Sequence, residues 1–396
     1  LLTYLLTYLL TYLLTYLLNY ILMSLIKRKI EASHIFNCKN LTPFINSIVQ
    51  VMPFKGVSMS RFYNCEYDGV QFLTKLCFYL KSNPEIYNRN SSKVVPSVDA
   101  EIHILRKLRD NITNKGISPC ILELIYDKIC NGLTRFTPNR IDCDVLQMNI
   151  YKETPANDVN NIMCMFRDLV STSLAHDKCA FLVMERCDMS LNDYIKKNMS
   201  SAINTAVFKT ILFQIIYTIY AISIIYPKFR HCDLHTENVM LKFDSTYKFK
   251  SNDLKYLVFN IHKDNVVITY TIPYFGIIVK LIDFGFSKLP EEGITSTGVE
   301  DRMFMYYRTD NDLLLLFHWI YHTMTHANAD KSGSIEKILS NLEPNQSYIA
   351  YHPEGIRRIT DKIPSYQNMM DNKIWNEYIK NKATRVQIYG EYNLQQ

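Results

Sequence analysis

The stretch that decides the fold is His231–Asn238, which has the sequence HCDLHTEN and fits the pattern H-x-D-L-x-x-x-N. A second stretch, Leu281–Gly285, has the sequence LIDFG and places Asp-Phe-Gly directly after an apolar run. Phosphoryl transfer needs a carboxylate that orients the attacking hydroxyl and oxygen ligands that hold Mg²⁺ on the phosphates. Asp233 and Asn238 can supply the base and one ligand, and Asp283 can supply the other ligand. Each motif alone is weak evidence, but both together in this order indicate phosphoryl-transfer chemistry.

The composition is that of a globular protein. With 396 residues, 48 % of them hydrophobic, the chain can bury a sizeable core. The formal net charge of +6 is compatible with phosphate ligands but is too small to indicate nucleic-acid binding. The ten cysteines are scattered without paired CxxC spacing, so we expect neither a zinc site nor a disulfide framework, and we expect a reducing compartment.

Residues 1–20 form a near-perfect repeat of Leu-Leu-Thr-Tyr. A four-residue period drifts against the 3.6-residue helical turn, so it gives no fixed apolar face. One interpretation is a membrane anchor over residues 1–26, followed by three basic residues. We favour the other interpretation, in which residues 1–22 are a low-complexity segment encoded by tandem-repeat DNA upstream of a start at Met23.

Strand-like patterns dominate the first half of the chain and helical patterns the second. The predicted strands are Val49–Met52, Phe62–Cys65, Val70–Leu80 and Ala180–Met184, with a hairpin turn at Glu66–Gly69. The predicted helices are one around Ile102, Leu105 and Leu108, and others at Leu191–Lys197, Val207–Tyr226 and Asp312–Met324. The apolar run Ile211–Tyr226 is shorter than a typical membrane span, so it predicts a buried helix. Residues 239–282 are again strand-like.

The two motifs and this order of elements resemble the protein kinases, over roughly residues 50 to 330. The resemblance implies an α+β, bilobal, protein-kinase-like fold with a small β-rich lobe and a larger, mainly helical lobe. In that division residues 45–187 are the small lobe with its hinge. Residues 188–385 are the large lobe, with a β-ribbon insert at 243–280 formed by Val266–Tyr270 and Ile277–Leu281 around Pro273.

The resemblance also assigns catalytic roles. Asp233 orients the substrate hydroxyl, and Asn238 and Asp283 hold Mg²⁺. Lys75, on the strand-like segment 72–78, reaches the ATP phosphates, and Glu101 holds Lys75 in place. The alternatives are an edge-strand surface lysine for Lys75 and a solvated acid at a helix start for Glu101.

Other residues match the ATP-binding parts of the family. The segment Phe181–Cys187 resembles the kinase hinge, so Met184 would guard the back of the adenine pocket, with Glu185 and Cys187 beside it; an ordinary buried strand is the alternative. His235 is also assigned to the ATP site. The glycine-rich loop is poor, because it keeps only Gly56 and has Ser58 and Arg61 where further glycines would fall.

Several features depart from the usual pattern. Cys232 replaces the arginine of His-Arg-Asp, which puts control by phosphorylation of Thr295–Thr297 in doubt, and no Ala-Pro-Glu follows. Asp312, or Asp310 nearly as well, matches the aspartate that ties down the catalytic loop. The Asp-Leu-His sequence at His235 and the 44 residues between Asn238 and Asp283 resemble the divergent, haspin-like kinases of large DNA viruses.

The resemblance therefore predicts an ATP- and Mg²⁺-dependent serine/threonine-protein kinase. A small-molecule kinase of the aminoglycoside or choline type would share the same catalytic loop, and a catalytically weak pseudokinase acting as a binding module would explain the poor glycine loop. We expect a protein substrate, no nucleic acid, no membrane unless residues 1–26 are an anchor, and a monomer. The expected location is the cytoplasm, of a host cell if the protein is viral, or else the virion.

Overall fold

The computed structural model describes residues 24–31, 33–52, 60–81, 94–132, 134, 154–197, 205–247, 254–296, 311–327, 333–344, 346, 364–380 and 387–396. The repeat at residues 1–22 and Met23 lie outside these ranges, and so do Gly56 and Ser58. The interpretations of those residues therefore stay predictions.

The chain forms two compact units that do not follow its linear order. The first unit consists of residues 1–83 and 123–186, and the second consists of residues 84–122 and 187–396. Segment 84–122, which the sequence-based division placed in the small lobe, groups with the second unit. In the described ranges the first unit is built around one large sheet and the second contains most of the helices, so the α+β class is confirmed.

The strands are β1 Ile48–Val51, β2 Ser60–Tyr67, β3 Val70–Leu80, β4 Val94–Val95, β5 Leu124–Asn131, β6 Ala175–Met184, β7 Met189–Ser190, β8 Val239–Phe243, β9 Lys255–Lys263, β10 Val266–Tyr274, β11 Ile277–Leu281, β12 Lys288–Leu289, β13 Ile294–Ser296 and β14 Gln387–Gln395. The α-helices are α1 Thr42–Ser47, α2 Ser97–Leu108, α3 Pro155–Ser171, α4 Leu191–Lys197, α5 Thr205–Ile225, α6 Asn311–Ala327, α7 Ser334–Leu342, α8 Tyr366–Met370 and α9 Asn376–Lys380. A π-helical turn, Arg109–Thr113, continues α2, and 3₁₀ turns occur at Phe284–Phe286, Pro290–Glu292 and Lys373–Trp375.

The first unit is a five-stranded antiparallel sheet in the order β1-β2-β3-β6-β5. β2 and β3 form the predicted hairpin, with Tyr67 opposite Val70. The two turn residues, Asp68 and Gly69, have φ of 50° and 74°. Positive φ at both central residues is what a two-residue hairpin turn of type I′ requires, and Asp-Gly provides it at low cost.

Aromatic side chains and a helix that the sequence did not reveal cover this sheet. Phe36 and Phe44 pack with Phe181 of β6, at ring-centroid distances of 5.3 and 5.0 Å. Helix α3 starts with Pro155 after Thr154, whose hydroxyl caps it, and its Phe166 stacks on Phe78 at 4.4 Å. The sequence patterns indicated no element between Leu108 and Ala180, so the structure alone revealed α3 and the strand β5 that precedes it.

The cysteine spacing predicts no disulfide framework, but the structure contains a long-range disulfide bond. Cys38, ahead of α1, is disulfide-bonded to Cys130 of β5, 92 residues away. The bond attaches the N-terminal segment of the first unit to the edge strand of its sheet. No local spacing could indicate this pair, because the fold brings two distant cysteines together.

The second unit is organised around α5, which is buried as predicted. In the described ranges α5 is long and apolar enough to cross a membrane by length and composition, but 78 % of its most apolar window is buried in the protein. Gln214 of α5 is buried. Its Oε1 accepts a hydrogen bond from the backbone N–H of Val279 at 3.1 Å, and its Nε2 donates to the carbonyl of Ile277 at 3.3 Å. This polar residue therefore attaches the helix to β11, the strand that leads to Asp283.

The insert contains a β-ribbon, but the predicted pairing within it is wrong. β9 pairs with β10 around a turn at Asp264 and Asn265, whereas β11 pairs with β8. The C-terminal strand β14 then adds to β9 in parallel, giving a three-stranded sheet in the order β10-β9-β14, which we call the accessory sheet. Local alternation showed that strands exist here, but their partners depend on long-range packing.

Candidate active site

The loop His231–Asn238 places Asp233 and Asn238 side by side. The Asn238 amide donates to the Asp233 backbone carbonyl at 2.8 Å and contacts the carboxylate Oδ2 at 3.3 Å. The Asp233 side chain is 14 % exposed and Asn238 is buried. A carboxylate and an amide oxygen are therefore held together on one loop that retains access to solvent, as the motif predicted.

A buried carboxylate holds the start of this loop. Asp312, near the N-terminus of α6, accepts hydrogen bonds from the backbone N–H groups of His231 and Cys232, at 2.9 and 3.0 Å. Arg230 Nε lies 3.8 Å from Asp312 Oδ2, and both side chains are almost fully buried. Of the two aspartates that the sequence left open for this role, the structure places Asp312 against the loop; Asp310 lies outside the described residues.

Cys232, in place of the usual arginine, is a buried thiol. Its φ is 63°, in the left-handed region that non-glycine residues seldom adopt. Burial, reinforced by the nearby Asp312 carboxylate, raises the pKa of the Cys232 thiol to about 12. The thiol is therefore protonated at neutral pH and is not a candidate nucleophile.

Backbone hydrogen bonds join the loop to the Asp-Phe-Gly segment. The Ile282 N–H donates to the Asn238 carbonyl at 3.1 Å, and His231 Nε2 lies 2.9 Å from the Ile282 carbonyl. The next residue, Asp283, has a φ of 60°. Left-handed backbone at a non-glycine residue costs energy and is concentrated at functional sites, which fits Asp283 as a site residue.

Glu101 lies beside the Asp-Phe-Gly segment. It is buried on α2, within the second unit. A Cβ at Gly285 would lie 3.4 Å from Asp283 Oδ1 and 3.6 Å from Glu101 Oε2, so both carboxylates are close to the same point. The interpretation of Glu101 as a solvated acid is therefore wrong.

His235 is oriented by its own loop. Its Nδ1 accepts a hydrogen bond from the Glu237 N–H at 3.2 Å, so the proton of the neutral ring is on Nε2. Nε2 points towards Asp233 Oδ2 at 3.7 Å, too far for a hydrogen bond. The His235 ring also lies near Trp319 of α6, at a ring-centroid distance of 6.0 Å.

The first unit contains Lys75, Met184 and Glu185 among the other candidates. Lys75 is 4 % exposed on β3, between Phe62 of β2 and Leu182 of β6, and its ammonium lies 5.5 Å from the Phe62 ring. An edge-strand surface position for Lys75 is therefore excluded. Met184 ends β6 and is 3 % exposed.

Glu185 forms a reciprocal pair with Glu123 in the same unit. Its N–H donates to the Glu123 carbonyl at 3.1 Å, and its carboxylate accepts from the Glu123 N–H at 2.9 Å. Cys187 is half-buried and is the first residue of the second unit after this segment.

Two contacts around the candidate residues were not indicated by the sequence. Arg61, considered only as a replacement for a loop glycine, is on β2 and pairs with Asp158 of α3 through Nε, at 3.0 and 3.1 Å. In the second unit, the Asn192 side chain binds Glu237, and its N–H donates to the Thr236 carbonyl at 3.1 Å. The sequence around Arg61 and Asn192 has no spacing pattern that indicates these partners.

Comparison with known proteins supports the resemblance but does not define a family. No protein-family model matches the chain. A protein of Acanthamoeba polyphaga mimivirus, provisionally named a serine/threonine-protein kinase, is 25 % identical over 186 residues. The match covers 44 % of this chain and 45 % of the relative, so the chain spans less than half of that protein's length.

A search of solved structures matches the crystal structure of a kinase domain. The TM-score is 0.32 and the sequence identity 16 %, over 67 % of this chain and 57 % of the other. This TM-score is too low to indicate a shared fold. The sequence match to the viral protein confirms the resemblance to divergent protein kinases of large DNA viruses that the Asp-Leu-His sequence and the long insert indicated.

Proposed function

We propose that the protein is an ATP-dependent protein kinase that transfers the γ-phosphate to serine or threonine hydroxyls. The observation that carries this proposal is the pairing of Asp233 with Asn238 on a loop that is bonded through Ile282 to the Asp283 segment. Those residues supply carboxylate and amide oxygens, the ligands that Mg²⁺ prefers, so the donor set fits the metal.

Each residue has a defined role in the proposed reaction. Asp233 accepts or orients the acceptor hydroxyl, while Asn238 and Asp283 would hold Mg²⁺, which would neutralise charge on the ATP phosphates. In the first unit, Lys75 contacts the phosphates, and the backbone of Glu185 together with Met184 forms part of the adenine site. Within the second unit, Asp312 fixes the loop so that Asp233 needs little reorganisation during transfer.

Serine and threonine are the proposed acceptors for two reasons. The sequence of the loop at 231–238 is not the one typical of tyrosine kinases. The viral relative carries a serine/threonine-kinase name. We further propose a protein substrate and action as a monomer in the cytoplasm. These proposals rest on the resemblance.

The test is transfer of labelled γ-phosphate from Mg·ATP to generic protein acceptors by the full chain and by Asp233→Asn. Loss of a positioned general base should lower the rate by about 10²- to 10⁴-fold. Asp264→Asn, in an exposed hairpin turn of the accessory sheet, is the matched control and should keep the full rate. Equal rates in both variants would overturn the assigned role of Asp233.

The same assay separates the other classes. Transfer to an aminoglycoside or choline panel, but not to protein, would replace the proposal with a small-molecule kinase. ATP binding without any transfer would indicate a pseudokinase, and absence of ATP binding would reject the kinase interpretation altogether.

A further inference from the structure

We propose that His322 and His326 form a chelating site for one divalent late-transition-metal ion, such as Zn²⁺, Ni²⁺ or Cu²⁺. The two histidines lie one turn apart on α6, and their Nε2 atoms are 2.9 Å apart. Both side chains are exposed, so a hydrated ion can reach them. The site uses none of the residues assigned to phosphoryl transfer, and it does not rest on the proposed function.

The geometry is close to that of a bidentate site. Residues i and i+4 share one face of a helix, and paired histidines at this spacing are a recurrent zinc-binding arrangement. Two nitrogens that each lie about 2.0–2.1 Å from a tetrahedral zinc ion are about 3.4 Å apart. The observed separation is therefore within about half an ångström of the one required, which small rotations of two exposed rings can supply.

The ligand chemistry selects the class of ion. Imidazole nitrogens suit zinc, copper and nickel, whereas magnesium and calcium prefer oxygen ligands. The described parts of the chain contain no group of three or more His, Cys, Asp or Glu residues arranged to hold a metal. In the proposed site water fills the positions that the two imidazoles leave open, and affinity should follow the order Cu²⁺ above Ni²⁺ and Zn²⁺.

A tryptophan next to the site provides a spectroscopic reporter. The ring of Trp319 is 5.5 Å from that of His322, and only one other tryptophan, Trp375, occurs in the chain. Trp375 is fully buried, in contact with Phe213 at 5.2 Å. Cu²⁺ bound at His322 and His326 should therefore quench the emission of Trp319.

The experiment titrates Cu²⁺, Ni²⁺ and Zn²⁺ into the chelator-treated full chain, with calorimetry and tryptophan emission as readouts. We expect one tight site per chain, with quenching that saturates at one Cu²⁺ and disappears in Trp319→Phe. Changes near metal ligands commonly weaken binding about 10- to 100-fold, so His322→Gln and His326→Gln should each weaken it at least about tenfold.

The matched control is His176→Gln, which changes an exposed histidine of the first unit. It should leave the tight site and the quenching unchanged. Affinity equal to that of the unmodified chain in both His322→Gln and His326→Gln would overturn the proposal, as would equal weakening in His176→Gln. Circular dichroism of each variant shows whether α6 is intact, and a folded double variant His322→Gln/His326→Gln that still quenches would also reject the site.

Discussion

The candidate catalytic loop at 231–238 and the accessory sheet lie in the same unit but are stabilised in different ways. The loop is short, and its shape is fixed by hydrogen bonds to Asp312 and Ile282 and by the internal bond from the Asn238 amide to the Asp233 carbonyl. The accessory sheet joins residues 255–274 to residues 387–395 through parallel pairing of β14 with β9. Specific hydrogen bonds therefore determine the conformation of the loop, whereas pairing and packing of segments that are distant in the sequence determine the accessory sheet.

This difference predicts different consequences of mutation. A change in the loop should remove activity together with some stability, because the same bonds orient Asp233. A change in the accessory sheet should reduce stability and leave the candidate site residues in place, because β9 contacts the rest of the unit through apolar side chains such as Phe259, whose ring lies 4.5 Å from that of Tyr217.

The largest effect is expected for Asp312→Ala. It leaves the N–H groups of His231 and Cys232 unpaired and Arg230 without its nearby carboxylate. Removing one member of a buried charged pair typically costs about 3–5 kcal/mol, so the free energy of unfolding should fall by that amount and phosphate transfer should be lost. Urea unfolding and the transfer assay measure the two effects; if Asp310→Ala has the same effect, the anchoring role of Asp312 is wrong.

A smaller effect is expected for Leu394→Ala in the accessory sheet. Leu394 is fully buried on β14. Large-to-small core changes of this kind cost about 2–5 kcal/mol, and an edge strand that can relax should be near the lower end. The midpoint of urea unfolding should fall while the transfer rate of the remaining folded protein stays unchanged. The exposed neighbour Gln395→Ala is the control, and loss of activity in folded Leu394→Ala would break the distinction between the two regions.

The smallest effect is expected for Asn260→Ala. The Asn260 amide donates to Glu391 at 2.7 Å and to Asn393 at 3.1 Å, and its oxygen accepts from Thr269 at 2.8 Å, so it links all three strands. A net loss of about 1 kcal/mol is expected from its hydrogen bonds. Thermal unfolding should detect the loss relative to Lys263→Ala, which changes an exposed residue on the same strand. Equal melting temperatures of the two variants would show that the hydrogen bonds of Asn260 contribute nothing to stability.

Prediction from the sequence succeeded where a few adjacent residues decide the structure. Asp68-Gly69 forms the predicted hairpin turn, and the predicted buried helix exists as α5, which ends at Ile225, one residue before the predicted end. It failed where partners are distant. The insert's ribbon was paired incorrectly, α3 was missed, and the Cys38–Cys130 disulfide was not expected.

By itself, the sequence determined the loop that pairs Asp233 with Asn238 and the position of Asp283 after a strand, because short motifs encode local geometry. Only the tertiary structure decided that Asp312 binds the loop at 231–238, that Glu101 lies beside Asp283, and that β14 pairs with β9 in the accessory sheet. Those arrangements depend on which surfaces exclude water together when the chain collapses. The packing of the whole chain determines these arrangements, so no local periodicity or motif spacing predicts them.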